Sequence, residues 1–276
     1  MDNPFLDPRA IREHYTFIVE GEGSNKVSKV RYRGIDVSYL PRLDGGGRDF
    51  GQDFIPIVKE RLGRVARACE FGCGPGFIGF SLLAHGLCDS LCLIDVNPEA
   101  VKIVKRTIKE NHLEGRVSVY LSDGLKEIPK SEKWDLVVSN PPHFGGTAAE
   151  WRGDMRIFDP KWRIHRDFYR SVPRFLNRKG SVMFVENEMG SKPEMWKKEA
   201  IRNGLEWVGS FKVGKVHGII RQTATVLHTL QRVQNKKMSD QMGGMLGMVA
   251  RAPKTAYYVC DYIASDPFYF VWSRKR

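Results

Sequence analysis

Glu70-Phe71-Gly72-Cys73-Gly74-Pro75-Gly76 closes an apolar run that starts at Val65 and opens a second apolar stretch, residues 77–85. The first run has the length of a strand and the second that of a helix, so the segment reads as strand, glycine turn, helix. Gly72, Gly74 and Gly76 let the backbone approach a ligand closely in a turn that side chains would obstruct. A lone G-x-G-x-G turn is shared among several ligand-binding folds, and its neighbours decide what it means.

Working outward, residues 90–95 form a second strand. Pro98 sits near the start of the next helix, whose apolar side carries Val101, Ile103, Val104 and Ile108 before Asn111 and Gly115 stop it. Residues 117–121 and 134–139 are two further buried strands. A helix over 164–176 follows, then Asn177 and Gly180, a strand over 181–185 and a helix over 195–203. Residues 205–213 and 222–230 read as two strands joined by a glycine-containing turn, an antiparallel closing hairpin. The count is seven strands in a mainly parallel sheet covered by helices on both faces, because right-handed crossovers put helices there. Residues 238–248 carry no secure period, and residues 255–263 and 267–272 read as an aromatic hairpin or packed tail.

Acidic residues fall at successive strand ends: Glu70, then Asp95, then Asp123 after Ser122. Asp95 can accept both hydrogen bonds of a ribose diol, and Asp123 can bring a carboxylate or its backbone near an adenine amine. For each, a capping or solvated acid is the plainer alternative. The fourth strand end reads Ser139-Asn140-Pro141-Pro142-His143-Phe144. Pro141 restricts Asn140 and Pro142 restricts Pro141, so a carboxamide and a carbonyl are held at the sheet edge. A planar amide or exocyclic amine can donate to the Asn140 oxygen and the Pro141 carbonyl and so be turned toward an electrophile. A structural proline turn is the alternative.

Residues 65–230 resemble a class I S-adenosylmethionine-dependent methyltransferase, a Rossmann-like αβα sandwich whose seven-stranded mixed sheet ends in an antiparallel strand. By that resemblance the cofactor is S-adenosylmethionine. Glu70, Gly72, Cys73, Gly74 and Gly76 form its first signature, Phe77 and Ile78 line the loop, Asp95 is the ribose acid, Val96 packs near the adenine, and Ser122-Asp123 is the adenine-side segment. Asn140 stands between cofactor and substrate. The segment from Asn140 is similar to the Asn/Asp-Pro-Pro-aromatic signature of enzymes that methylate glutamine amides, adenine N6 or guanine N2. Here Asn140, Pro141 and His143 are the implied catalytic residues, and Pro142 and Phe144 join them in holding substrate. His143 stands where Tyr, Phe or Trp is usual, with a stacking or proton-removing role in view. The implied function is N-methylation of an exocyclic amine or amide, with an RNA base as one acceptor. The alternatives are a protein glutamine, a small molecule methylated on nitrogen, oxygen or carbon, and a non-catalytic S-adenosylmethionine-binding protein.

The 276 residues carry 44 Lys and Arg against 32 Asp and Glu, a formal charge of +12 that favours RNA or another anionic partner. Residues 145–180 hold 9 Lys/Arg against 4 Asp/Glu, and residues 232–276 hold 8 against 3. Arg163, Arg166 and Arg170 can share one helix face as a basic stripe. Phe50, Phe54, Trp151 and Trp162 are candidates to cover a base or simply to fill a core, Glu186 to position substrate or to be a solvated strand-end acid, and His165 to start a helix. Cys69, Cys73, Cys88, Cys92 and Cys260 read as structural thiols and not as metal ligands. No apolar run is long enough for a membrane span and the opening lacks a secretory pattern, so a cytoplasmic protein with no membrane partner is expected. The expected organisation is an N-terminal extension or lid over 1–60, with a mobile segment or surface turn at Gly45-Gly46-Gly47, a cofactor-binding domain over 61–232 and a C-terminal extension over 233–276.

Overall fold

A computed structural model describes residues 26–145, 156, 158–188, 190–212 and 268–276. The leading element is an antiparallel hairpin of β1 (Ser28–Tyr32) and β2 (Ile35–Tyr39). It is clipped to the helix that follows the second sheet strand. The Asp36 amide donates to Asn111 Oδ1 at 2.9 Å, Asn111 Nδ2 donates to the Asp36 carbonyl at 2.9 Å, and the Ser38 amide donates to Thr107 Oγ1 at 3.0 Å. Helix α1 (Gly47–Arg61) then buries Phe54 and Val58.

The main sheet begins with β3 (Val65–Phe71), followed by α2 (Phe77–Ala84), β4 (Cys88–Asp95), α3 (Pro98–Glu110), β5 (Val117–Leu121) and β6 (Trp134–Ser139). After these come α4 (Arg163–Ser171), β7 (Leu176–Asn187), α5 (Pro193–Arg202), β8 (Leu205–Lys212) and β9 (Phe268–Lys275). Helix α3 shows why its sequence makes a helix here. Asn97 Oδ1 accepts from the Glu99 amide at 2.9 Å, Pro98 takes the first turn where no amide proton is needed, and Ala100, Val101, Ile103, Val104, Thr107 and Ile108 turn inward.

Strand order is β5-β4-β3-β6-β7-β9-β8, with β9 antiparallel to both its neighbours and the other adjacent pairs parallel. The expected α/β sandwich with a mixed seven-stranded sheet is what the chain adopts. Strand alternation sorts the core into two layers. Ala68, Leu91, Leu136, Val138, Met183 and Phe270 face α1, α2 and α3, whereas Cys69, Cys92, Val137, Val182, Phe184 and Val271 face α4 and α5. A parallel strand buried on both sides reads as a near-continuous apolar run, as 134–139 does.

Three expectations need correction. β8 pairs with Phe268–Lys275, while residues 222–230, read as its hairpin partner, lie outside the described residues, as do 238–248 and 255–263. The aromatic stretch read as a hairpin or tail is therefore an interior strand. The helix expected over 164–176 ends at Ser171, because Pro173 has no amide proton to continue it, and a short 3-10 turn at Val172–Arg174 leads into β7, which starts at Leu176 and not at 181. Cys69, Cys73, Cys88 and Cys92 are buried free thiols, and Cys260 lies outside the described residues.

Phe270 tests how far β9 belongs to the core. Its ring is fully buried, edge-on to Phe54 at 4.8 Å and stacked on Phe211 at 5.8 Å. Phe270→Ala is expected to lower unfolding free energy by about 3–5 kcal/mol in urea titrations. A loss below about 1 kcal/mol would mean that β9 docks loosely.

Candidate functional site

Strand order reverses between β3 and β6, and the crevice beyond the carboxyl ends of a parallel sheet at such a point is where ligands bind. A pocket opens there. Its wall is made by Gly72-Cys73-Gly74-Pro75 after β3, Asp95-Val96-Asn97 after β4, Ser122-Asp123-Gly124 after β5 and Ser139-Asn140-Pro141-Pro142 after β6, with Glu70 and Phe77 behind the loop and Leu43, Gly45 and Gly47 closing one side. Four separate sequence segments thus meet in one row.

The loop is held from two directions. Glu70 is buried, and its carboxylate accepts from the Gly79 amide at 2.7 Å and the Ile78 amide at 3.3 Å, satisfying donors that the first turn of α2 leaves open. Burial pushes this carboxyl up to about 8; the two amides oppose the shift and the nearby Asp95 charge adds to it. Asp95 accepts from the Gly74 amide at 2.6 Å through Oδ2 and from the Asn97 amide at 2.8 Å through Oδ1. Burial raises its pKa against those bonds and one from the Val96 amide, and the carboxylate keeps acceptor capacity for a ligand hydroxyl. Gly74 adopts φ +51°, and a Cβ there would stand 3.1 Å from the Leu43 carbonyl. Gly76, at φ +84°, is not on the pocket wall: a Cβ would press into the Phe80 ring at 2.9 Å, so this glycine lets the helix seat against the loop.

At the third strand end, Glu127 Oε2 accepts from Ser122 Oγ and from the Asp123 amide, both at 2.8 Å. The Asp123 carboxylate bridges Lys126 Nζ at 2.6 Å and Arg163 Nη1 at 3.3 Å. Arg163 is therefore drawn to the pocket rim and also lies 3.8 Å from Asp167; Arg170 pairs with the same Asp167 at 3.0 Å, and Arg166 is exposed.

Asn140 is tethered at both ends of its carboxamide. Nδ2 donates to the Gly45 carbonyl at 3.0 Å, and Oδ1 lies 3.1 Å from His143 Nε2. The triple-glycine segment, read from sequence as lid or turn, thus touches the site through Gly45. The His143 ring does not lie flat along the wall: it stands edge-on to Phe268 at 5.6 Å, and Nδ1 is 3.3 Å from Ser191 Oγ. His143 and Phe144 lie behind the pocket wall, with Gly190 packed directly on the His143 carbonyl and close to the Phe144 ring.

Behind His143 is a buried ionic cluster that sequence reasoning did not assemble. His165 donates from Nδ1 to Asp159 Oδ2 at 2.7 Å and from Nε2 to Glu186 Oε1 at 3.3 Å, and its ring stacks on Trp196 at 4.2 Å. Burial alone would lower its pKa, but the Glu186 charge and the bonds to both carboxylates outweigh burial and raise it to about 9. Glu186 is fully enclosed and not solvated as one reading of the strand end had it; burial would raise its pKa, yet the His165 charge holds it low. Of the aromatic candidates, Phe54 is core and Trp162 packs edge-on to Trp196 at 5.2 Å; the Phe50 side chain and Trp151 lie outside what is described. Arg156 and Ile164, also on the wall, carried no sequence signal.

Residues 49–203 match the family model described as methyltransferase small domain. Among relatives, the chain is 32% identical over 157 residues to ribosomal RNA small subunit methyltransferase C of Hahella chejuensis, covering 56% of this chain and 41% of that protein. It is 31% identical over 176 residues to the protein of the same name from Actinobacillus pleuropneumoniae, covering 63% and 49%. The chain thus spans less than half the length of either. Among solved structures, the O-methyltransferase of a trans-AT PKS multienzyme of Brevibacillus brevis superposes with a TM-score of 0.50 at 14% identity, over 81% of this chain and 71% of that one. The [4+2]-cyclase SpnF superposes at 0.51 and 17%, over 81% of each. Those two likenesses concern the fold alone, and one fold hosts unlike reactions.

Glu70 gives the site a pH signature. Its folded value, about 8, lies above the ordinary 4.5, so the native state takes up a proton that the unfolded chain does not. The stabilisation is complete below about pH 4.5 and is lost as pH climbs through about 8. The melting temperature of the wild type relative to Glu70→Gln should therefore fall steadily across that interval; a difference that stays flat would show Glu70 to be ionised throughout.

Proposed function

Because the chain belongs to the methyltransferase small domain family, we propose that it is an S-adenosylmethionine-dependent N-methyltransferase acting on an exocyclic amine of an RNA base in the cytoplasm. One observation carries the reading: Asn140 and Pro141 share a pocket wall with the glycine loop and Asp95, and the Asn140 carboxamide is tethered at both ends. Relatives named for small-subunit ribosomal RNA and a formal charge of +12 support RNA as the acceptor class.

The residues fit the cofactor. Backbone at Gly72 to Gly74 is bare toward the pocket, Asp95 offers acceptors for hydroxyls, and Val96 with Phe71 and Ile94 supplies apolar wall. We assign its binding to Glu70, Gly72, Cys73, Gly74, Phe77, Asp95, Val96, Ser122, Asp123 and Asn140, with Gly76 shaping the loop. When bound, it supplies a methyl group on a sulfonium. What remains for the protein is to align a nucleophilic nitrogen and keep water away. The second lone pair of Asn140 Oδ1 and the Pro141 carbonyl accept the two amine hydrogens, which fixes the plane of the acceptor, and Pro142 stiffens that presentation. His143, whose ring nitrogens face Asn140 and Ser191, orients the amide in this scheme and does not stack on the base.

Two measurements test the assignment. Asp95→Ala should weaken S-adenosylmethionine binding by roughly 1–3 kcal/mol in calorimetry, and unchanged affinity would remove Asp95 from the cofactor site. Asn140→Ala should weaken that affinity far less than Asp95→Ala does, yet lower turnover about 10²-fold or more. The acceptor itself is found by incubating cell extract with labelled cofactor, then fragmenting the labelled product by mass spectrometry. A methyl on a base nitrogen of RNA is the expected result; label in protein, or on oxygen or carbon, defeats the proposal.

A further inference from the structure

We propose that Glu186, backed by the His165–Asp159 pair, is a positioning residue for the transfer: it seats the His143 ring, and the ring holds the Asn140 carboxamide. The inference rests on the assignment of Asn140 to the acceptor amine.

The orientation of Asn140 is set by elimination. A carbonyl can only accept, so the group facing the Gly45 oxygen is Nδ2, and Oδ1 is left toward His143. Oδ1 can only accept, so His143 Nε2 carries a proton when it makes that contact. Nδ1 then faces Ser191 Oγ at 3.3 Å and, beyond it, Glu186 Oε2 at 3.9 Å. Ser191 Oγ accepts from the Asn187 amide at 3.0 Å and keeps a second lone pair, so it can accept an Nδ1 proton that also faces the Glu186 carboxylate.

The cluster behind the ring is an unusual thing to bury for stability alone. Asp159 and Glu186 flank one imidazolium, so the group retains one negative charge inside the protein. Asp159 spends its remaining capacity on α4, accepting from the Ile164 amide at 2.8 Å and the His165 amide at 3.1 Å. Glu186 does not: Oε1 takes the His165 proton, while Oε2 is buried with no hydrogen-bond partner among the described residues. Well-packed apolar residues would serve the fold as well as a buried ion triad, and an orphaned carboxylate oxygen is a burden the fold does not need. The ring that orphaned oxygen faces is the one that holds Asn140. Among the described residues, other groups around it do not relieve the charge. Tyr169 from α4 has a buried hydroxyl with no hydrogen-bond partner among them, and Phe268 from β9 presents its ring edge to His143. The chain of contacts thus runs from the N-terminal turn of α4 through β7 to the end of β6, three elements that rigidly adjoin.

The test is a double-variant cycle with a readout that needs no acceptor. In the full-length protein, exchange of the Asn140 side-chain amide protons, followed by NMR, should be slow in the wild type and about tenfold faster in Glu186→Gln and in His143→Phe. It should be no faster in the double variant, because Glu186 acts only through His143. S-adenosylmethionine affinity should stay unchanged in all three. With an in vitro transcript of small-subunit ribosomal RNA, turnover should follow the same pattern, falling about tenfold in each single variant without a rise in KM for the cofactor. Glu186→Asp keeps the charge and withdraws it by one methylene; it should show an intermediate loss, and it carries the test if Glu186→Gln fails to fold. Unaltered Asn140 exchange in a folded Glu186 variant, or losses that multiply in the double variant, overturns the proposal. Loosened Asn140 with no methylated RNA amine in the wild type supports the coupling and overturns the acceptor assignment instead.

Discussion

The site depends on a carboxylate that has nowhere to go. Glu70 ends the central strand facing protein and not water, and the amides of Ile78 and Gly79 are the donors within its reach. Satisfying it draws the start of α2 back over the strand end, which forces the intervening chain into a tight left-handed loop with bare backbone on its outer side. Asp95 then fastens that loop to the neighbouring strand through the Gly74 amide. The two acids do complementary work: one closes the turn on itself, and the other sets its height above the sheet. Both remain buried, so rearranging the loop would strip a buried polar group of its amide partners, which keeps the loop in one shape.

The same logic of mutual constraint operates on the far side of the pocket with different chemistry. There the rigid parts are prolines and an amide. Pro141 and Pro142 limit the backbone, but neither decides which way the Asn140 carboxamide faces; Gly45 and His143 do. The N-terminal segment is thus part of the site, tied in through a carbonyl oxygen whose side chain is irrelevant. Its hairpin is anchored on α3 by Asn111 and Thr107, polar residues that double as the helix end and a buried helix face.

Local signals carried most of the wall and little of what stands behind it. The loop glycines, Asp95 and Asn140 lie at strand ends in chain order, and a residue at a strand end in a parallel sheet has few places to be, so Ser122, Asp123 and Pro141 came with them. Asp159, His165 and Glu186 obey no such rule. They come from a turn, a helix and a strand, and only packing brings their polar atoms together; read singly, Glu186 is as good a surface acid as a buried one. The tie of Arg163 to Asp123 was hidden for a related reason, since helical spacing relates Arg163 to Arg166 and Arg170 but says nothing of an acid beyond another strand. That β9 lies between β7 and β8 was not legible either, because consecutive strands usually adjoin. The alternating Phe268, Phe270 and Trp272 were visible as a strand pattern, but nothing local names a partner so distant in sequence.

That distance bears on the order in which the molecule assembles. During synthesis β3 through β7 emerge and pair in parallel, and β8 follows, yet the strand that joins β7 to β8 is made only after residues 213–267. Until then β7, with its long run of apolar side chains, presents an unpaired edge, which is a template for pairing with another chain. Closing the sheet late also means a large loop-closure entropy and a high contact order, both of which slow folding. Phe268 arrives with that strand and packs against His143. A nascent chain can therefore shape its glycine loop early, but the Asn140 side of the pocket waits for the final strand. Dilution, a chaperone or slow translation through 213–267 would each shift the balance between closure and aggregation.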